Sequence, residues 1–264
     1  MPILSISSRV VQGYVGNSAI VPGLQSLGFT VWPLDTVVFS NHPGHGRFRG
    51  TITDPAHLLA LLEGLQELGV LVDCQAVLSG YLGHLETADV VAAAVTMVEA
   101  ANPNAFYCCD PVIGDDGRNY VDPAIVTAII EKLLPRAHIV TPNHHELSVL
   151  SGVTQNHENL VETARGLPLI GPKTVVVSGH RRSDMVRTWA ITPRTACWQE
   201  WPWRERPING AGDLLAALFL GYWLADGNSE TALAQAVSRL AHVIDTPSGD
   251  RDLDVITGLA ADGC

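Results

Sequence analysis

A chain of 264 residues, 47% hydrophobic and 16% charged, can bury a core large enough for one α/β domain, and residues 1–264 are read as such a domain. Its formal net charge of −11 offers no field for nucleic acid or an anionic membrane, so any phosphate must be held locally by N–H groups, a few cations or a metal. The start turns polar directly after Met1-Pro2-Ile3-Leu4 and no run of about 18 apolar residues occurs, which argues against a signal peptide and a membrane span. Five cysteines without a C-x-x-C pair fit reduced thiols in a cytoplasmic protein.

Ile3 to Ile6 reads as a short strand, followed by a Gly- and Ser-bearing loop to Asn17 and a helix from Ser18 to Leu27. Such a loop lies at the carboxyl edge of a sheet, where α/β proteins bind ligands, so Ser8 is either a substrate contact or a hydroxyl capping its own turn. Thr30 to Leu34 and Val37 to Phe39 read as strands, and Asn41-His42-Pro43-Gly44-His45-Gly46-Arg47-Phe48-Arg49-Gly50 as a Gly-rich, cationic excursion suited to a lid. His42 and His45 lie outside any helix with no Cys or acid at ligand spacing, which argues against a zinc site.

Asp54-Pro55 opens a helix, with Asp as N-cap and Pro at the first helical position, that stops at Gly69. Ala76 to Leu78 is a buried strand ending in Ser79-Gly80-Tyr81-Leu82-Gly83, before a helix from Thr87 to Ala101. The next strand, Ala105 to Cys109, is closed by Asp110-Pro111-Val112-Ile113-Gly114-Asp115-Asp116-Gly117. Acids gathered at a strand's carboxyl end suit Mg²⁺ held through water and phosphate oxygens, although Asp116-Gly117 fits a solvated turn better than Asp110 does. A helix from Pro123 to Leu134 and a strand from His138 to Val140 lead into Thr141-Pro142-Asn143-His144-His145-Glu146-Leu147. Here Thr141 or Asn143 can cap the helix, with Glu146 as the capping-box partner.

Thr174 to Val177 is a strand ending in Ser178-Gly179-His180, and Met185 to Thr192 with Cys197 to Trp203 form a hairpin. The cluster Trp198, Trp201 and Trp203 fits edge packing better than base stacking. Helices from Glu230 to Ile244 and from Leu253 to Leu259 end the chain.

The sharpest signal is Asn209-Gly210-Ala211-Gly212-Asp213, running into the apolar helix Leu214-Leu215-Ala216-Ala217-Leu218-Phe219-Leu220-Gly221. Two glycines permit a tight turn and close backbone approach, and the bare N–H groups of a helix start attract an anion. Asp213, read at the first helical position, places a carboxylate where it can take a proton from a hydroxyl attacking a phosphoryl group; the plainer alternative is a Gly-rich turn with Asp213 as a cap. The alternation of strands and helices, with Gly, Ser, Thr or Asp at each strand's carboxyl end, predicts a mainly parallel sheet covered by helices on both faces. A P-loop and a strand-G-x-G-x-x-G-helix unit are both missing, which disfavours P-loop kinases and Rossmann dehydrogenases.

Taken in order, Ser8 to Asn17, Phe39-Ser40-Asn41-His42, Ser79 to Gly83, Cys109-Asp110-Pro111-Val112, Thr141 to Leu147 and Gly210-Ala211-Gly212-Asp213 resemble the pyridoxal kinases of the ribokinase superfamily. The resemblance implies ATP-dependent phosphorylation of the 5′-hydroxymethyl group of pyridoxal, pyridoxine or pyridoxamine with Mg²⁺ and a monovalent cation. It also implies a homodimer of ribokinase-like fold with a small flap over the substrate. By the same resemblance Asp213 is the general base, and Gly210, Ala211 and Gly212 form the anion hole. Ser8, Asn41, His42 and Tyr81 contact the substrate together with Asp213. Asp110, Asn143, Glu146 and Ser178, with Gly210 and Gly212, serve ATP, and Asp110, Thr141 and Glu146 serve the metal. Three departures stand out: Pro43-Gly44 replaces a polar Thr, the lid stretch from Gly114 to Tyr120 is short, and Ser178 stands where a Lys is common, leaving Arg9, Arg47, Arg49 or Arg118 to compensate. The rival readings are a hydroxymethylpyrimidine kinase of thiamine synthesis and a non-catalytic pyridoxal phosphate binder.

Overall fold

The computed structural model describes residues 1–115, 117–154, 159–167, 174–204, 208–246 and 252–260. In chain order its elements are β1 (Pro2–Val10), α1 (Asn17–Gln25), β2 (Thr30–Phe39), β3 (Gly50–Ile52), α2 (Pro55–Glu67), β4 (Ala76–Ser79), α3 (Thr87–Ala101) and β5 (Phe106–Cys109). There follow β6 (Gly114–Asp115), β7 (Arg118–Asn119), α4 (Pro123–Ala128), β8 (Ile139–Val140), α5 (His144–Ser151), α6 (Leu160–Arg165) and β9 (Thr174–Arg182). The last are β10 (Met185–Ile191), β11 (Ala196–Pro202), α7 (Ala211–Asp226), α8 (Ser229–Asp245) and α9 (Val255–Ala260).

A 9-stranded sheet runs in the order β11-β10-β9-β8-β5-β4-β1-β2-β3. Every pair from β2 across to β9 is parallel, and β3 and the β10–β11 hairpin are antiparallel additions at the two edges. One face is covered by an apolar layer that includes Leu58, Leu62, Val91, Val95, Leu147 and Leu150. The other is covered by a layer that includes Ile20, Leu24, Leu214, Phe219, Leu233 and Val237. The expected doubly covered, mostly parallel sheet is thus borne out. Helix α7 is apolar all round because it is buried all round: Leu214 to Leu220 are at most 3% exposed.

Several boundaries differ from the sequence reading, each for a physical reason. β2 is one strand, not two, since its polar interruption is satisfied inside the fold. Asp35 accepts from Asn17 Nδ2 at 2.8 Å, and buried Thr36 donates to the Tyr81 carbonyl at 2.6 Å. β1 continues beyond Ile6 to Val10, with a register shift between Ser7 and Arg9 that places Ser8 at a bulge. The helix from Pro123 changes winding, passing into a π turn over Ile129–Leu133 and a 3₁₀ turn over Leu134–Arg136. The short elements β3, β6, β7 and α6 carry too few residues to show a period, and the sequence reading missed them. Asp116 and Cys264 lie outside the described residues.

β1 pairs with β2 on one side and with β4 on the other, so the connections from these central strands diverge. A crevice at the carboxyl ends of the strands, where connections part, is where open α/β sheets bind ligands. The start of α7 closes over that crevice.

Candidate active site

Gly210 is the residue before α7 and adopts φ 84°, a left-handed conformation that favours glycine. A Cβ there would stand 1.7 Å from the Tyr14 carbonyl oxygen, so close approach demands glycine as well. The helix start has no side-chain cap, which leaves N–H groups of its first turn directed at the crevice. Ala211 and Gly212 are the first two helical residues, and Gly212 is exposed, with nothing within 4 Å of the position its Cβ would take. Asp213 is therefore the third helical residue and not the first, and its carboxylate folds back over the turn. The backbone amides of Gly16 and of Asp213 itself favour its charged form.

The surroundings of Asp213 come from β1 and β4. A Cβ on Gly80, just after β4, would be 3.9 Å from Asp213 Oδ1 and 2.4 Å from Ser7 Oγ. Ser7 is fully buried, and its hydroxyl has no hydrogen-bond partner among the described residues. A Cβ on Gly16 would be 2.2 Å from Ser8 Oγ, so Ser8 and the Gly16 amide that faces Asp213 lie against each other. Burial raises the Asp213 carboxyl to about 6, against the lowering effect of the Gly16 and Asp213 amides. A carboxylate held in this range is suited to taking up a proton near neutral pH.

Asp110 stands near Asp213, and Glu146 near Asp110. Thr141 Oγ1 donates to Asp110 Oδ1 at 2.7 Å, and burial together with the charge of Asp213 raises Asp110 to about 7 despite that bond. Glu146 is raised to about 8 by burial and then by Asp110, against bonds from the Asn143, Ile113 and Gly114 amides. Both Glu146 oxygens are engaged: Oε1 accepts from Ile113 N at 2.9 Å and Gly114 N at 3.3 Å, and Oε2 accepts from Asn143 N at 2.8 Å. Asn143 Oδ1 accepts from Glu146 N at 2.8 Å, completing the expected capping box, and Asn143 Nδ2 donates to the Gly114 carbonyl at 2.8 Å. The short β6–β7 hairpin, in the stretch expected to be the lid, is thereby tied to the start of α5, as it is again by His145 Nε2 and Asn119 Oδ1 at 2.7 Å. Ser178 lies beside Asn143 through an isolated parallel bridge. A cavity of about 290 Å³ opens there, lined by Asp115, Gly117, Asn143, His144, His145, Ser148 and Gly179.

Among the described residues, none of Asp110, Glu146 and Asp213 takes part in an ion pair. Asp110 and Glu146 are buried acids, raised in turn by Asp213 and by Asp110, and acids so placed suit a divalent metal held through water and phosphate oxygens. Among the described residues no group of three or more His, Cys, Asp or Glu is placed to hold a metal ion by itself.

The flap at the carboxyl end of β2 is stitched largely to itself. Asn41 Nδ2 donates to the carbonyls of Arg47 at 2.8 Å and His42 at 3.1 Å, so Asn41 shapes the flap. His42 Nδ1 accepts from Gly44 N at 3.2 Å, and the ring is lowered by burial and by His45, with Asp252 opposing. Tyr81 sits partly buried beside Gly83, its phenol raised by burial. Of the cations named to replace a lysine at Ser178, Arg9 is engaged with Asp35 at 3.7 Å, whereas Arg118 lies exposed on the lid. Sequence reasoning missed Gly16, Gly80 and Asp252. The first two were visible as glycines beside candidate hydroxyls, but the clash that demands them exists only in three dimensions.

The Phosphomethylpyrimidine kinase family model matches residues 62–251. The chain is 41% identical to the pyridoxal kinase PdxY of Rubrobacter xylanophilus over 263 residues, covering 96% of this chain and 91% of that protein. It is 39% identical to the pyridoxal kinase PdxY of Deinococcus radiodurans, covering 96% and 90%. The pyridoxal kinase of Leishmania donovani, solved with ADP and pyridoxamine, superposes with a TM-score of 0.89 at 30% identity, covering 98% of this chain and 94% of that one. Fold and comparisons together define a kinase of ribokinase-like architecture. Within that class, the chain belongs to the pyridoxal kinase family.

Proposed function

We propose that this chain transfers the terminal phosphoryl group of ATP to the 5′-hydroxymethyl group of pyridoxal, pyridoxine or pyridoxamine, with Asp213 as the base. The observation that carries this reading is the Asp213 carboxylate, in the first turn of α7 directly after the left-handed Gly210, where no side-chain cap hydrogen bond is made. In a loose phosphoryl-transfer transition state the protein mainly positions the reactants and stabilises charge. Asp213 accepts the proton of the attacking hydroxyl, and the N–H groups around Gly210, Ala211 and Gly212 face the charge on the transferring group. The open space beside Gly212 leaves room for that group. Ser8, Tyr81 and the flap residues Asn41 and His42 line the alcohol's side, while Asn143 and Ser178 lie on the nucleotide's side.

Asp110 would hold Mg²⁺ through water, with Thr141 orienting its carboxylate and Glu146 adding charge from behind while it anchors the lid; the ion would neutralise phosphate charge. A monovalent cation and a homodimer belong to the same reading through the family resemblance. The described cysteines, Cys74, Cys108, Cys109 and Cys197, are all unbridged, which is compatible with the reducing cytoplasm read from the sequence. Among the described residues no helix is long and apolar enough to cross a membrane.

The description of the matching family model keeps a pyrimidine alcohol as the second reading. Purified protein with Mg-ATP is given pyridoxal or hydroxymethylpyrimidine, and phosphorylated product is measured. Higher kcat/KM for pyridoxal is expected; faster transfer to the pyrimidine would reverse the assignment. Tight product binding without turnover would support a binder instead.

A further inference from the structure

Three segments that approach the active site from distant parts of the chain meet at one carboxylate. Gln12 Nε2, from the loop after β1, donates to Asp252 Oδ2 at 3.0 Å. His45 Nε2, at the tip of the flap, lies 3.3 Å from Asp252 Oδ1. Asn209 Nδ2, immediately before Gly210, also reaches Oδ1 at 3.3 Å, and Asn209 and Asp252 share a parallel backbone bridge. A Cβ on Gly13 would stand 3.1 Å from the same carboxylate, so the loop after β1 closes tightly over it. The side chains of Asp252 and His45 are 12% and 28% exposed, so their contact is largely shielded from solvent. Burial pushes the Asp252 carboxyl up, but the bonds from Asn209, Gln12 and His45 outweigh it and hold the group below its ordinary range.

We infer that Asp252 is a positioning residue that latches the flap tip to the turn at the start of α7, so that the cover over the alcohol and the phosphoryl-binding turn are set together. This rests on reading residues 41–49 as the flap over the acceptor alcohol. Asp252 touches neither reactant in this account. Its effect passes through His45 to the flap and through Asn209 to Gly210.

The test compares Asp252→Ala, His45→Ala and the double variant in steady-state kinetics, and in trypsin cleavage at Arg47 and Arg49 of the substrate-free proteins. His45→Ala is expected to raise the pyridoxal KM about three- to tenfold with kcat nearly unchanged, the range a single hydrogen-bonded contact supplies. Asp252→Ala raises it by a similar factor and also lowers kcat, because the turn loses Asn209 as well. The double variant matches Asp252→Ala, and both single variants are cut faster in the flap than the wild type. Multiplying effects on KM, or unchanged cleavage in both variants, would overturn the latch. Asp252→Asn, which keeps the side chain's size, serves the same comparison should the alanine variant fail to fold. Failure of saturating pyridoxal to protect the wild-type flap would count against the flap reading alone, since the latch is read without substrate.

Discussion

The backbone amide of Gly16 faces the carboxylate of Asp213 and favours its charged form, so the loop that follows β1 bears directly on the group that opens the phosphoryl-transfer site. Gly16 has no freedom to be another residue. Its φ is 54°, and a Cβ would stand 2.2 Å from both the carbonyl oxygen and Oγ of Ser8. Gly16→Ala should therefore displace Ser8 and Asp213 together. We expect kcat to fall by at least about tenfold and the pyridoxal KM to rise, since a misplaced catalytic group costs that much or more. Unaltered steady-state constants would show that this amide does not hold the base.

The two glycines of the turn should behave differently. Gly210→Ala forces a side chain into a left-handed backbone and onto the Tyr14 carbonyl oxygen, so both Tm and activity should drop. Gly212→Ala places its methyl group in open space, leaving Tm nearly unchanged. It should still lower kcat, because that space lies where the transferring group would pass. Thermal melts alongside turnover separate the two; equal loss of Tm would show that the turn cannot tolerate either change.

How far the sequence reveals this site depends on whether a residue acts locally. Asp213, Gly210, Asp110 and the Asn143–Glu146 capping box were legible because each follows from a strand end, a helix start or a fixed spacing. The parallel sheet was legible for the same reason, through alternating strand and helix periods. The continuous β2 was not, since Asp35 and Thr36 look like loop residues until Asn17 and Tyr81 supply their partners. Asp252 was not either, because its partners lie as far as 240 positions away in the chain. The capping box, one of two readings open for Glu146, is present, yet its hold on the Ile113 and Gly114 amides has no local signature.

The raised acids of the site make a prediction about pH. Asp213, Asp110 and Glu146 are raised to about 6, about 7 and about 8, all above unfolded carboxylates. The folded protein thus holds protons that the unfolded chain releases. Stability is fully present below the unfolded carboxylate range and is lost as pH rises through the folded values. The Tm of metal-free protein should fall between about pH 5 and about pH 8.5, with Mg²⁺ and nucleotide recovering much of the loss at the alkaline end. Asp110→Asn should flatten the slope, since it removes one acid and relieves Glu146. A wild-type Tm that rises over this range would contradict the mutual burial of these carboxylates.

The central claim is that Asp213 takes the proton from the attacking alcohol, and Asp213→Asn tests it with little change in shape. The variant should keep its Tm near or above the wild-type value, because a buried charge with a raised pKa has been removed. Nucleotide binding, followed by calorimetry, should also persist. With pyridoxal and Mg-ATP saturating, kcat should fall by roughly 10²–10⁴, the usual contribution of a positioned base. A folded, nucleotide-binding Asp213→Asn protein that turns over pyridoxal at close to the wild-type kcat would contradict the account.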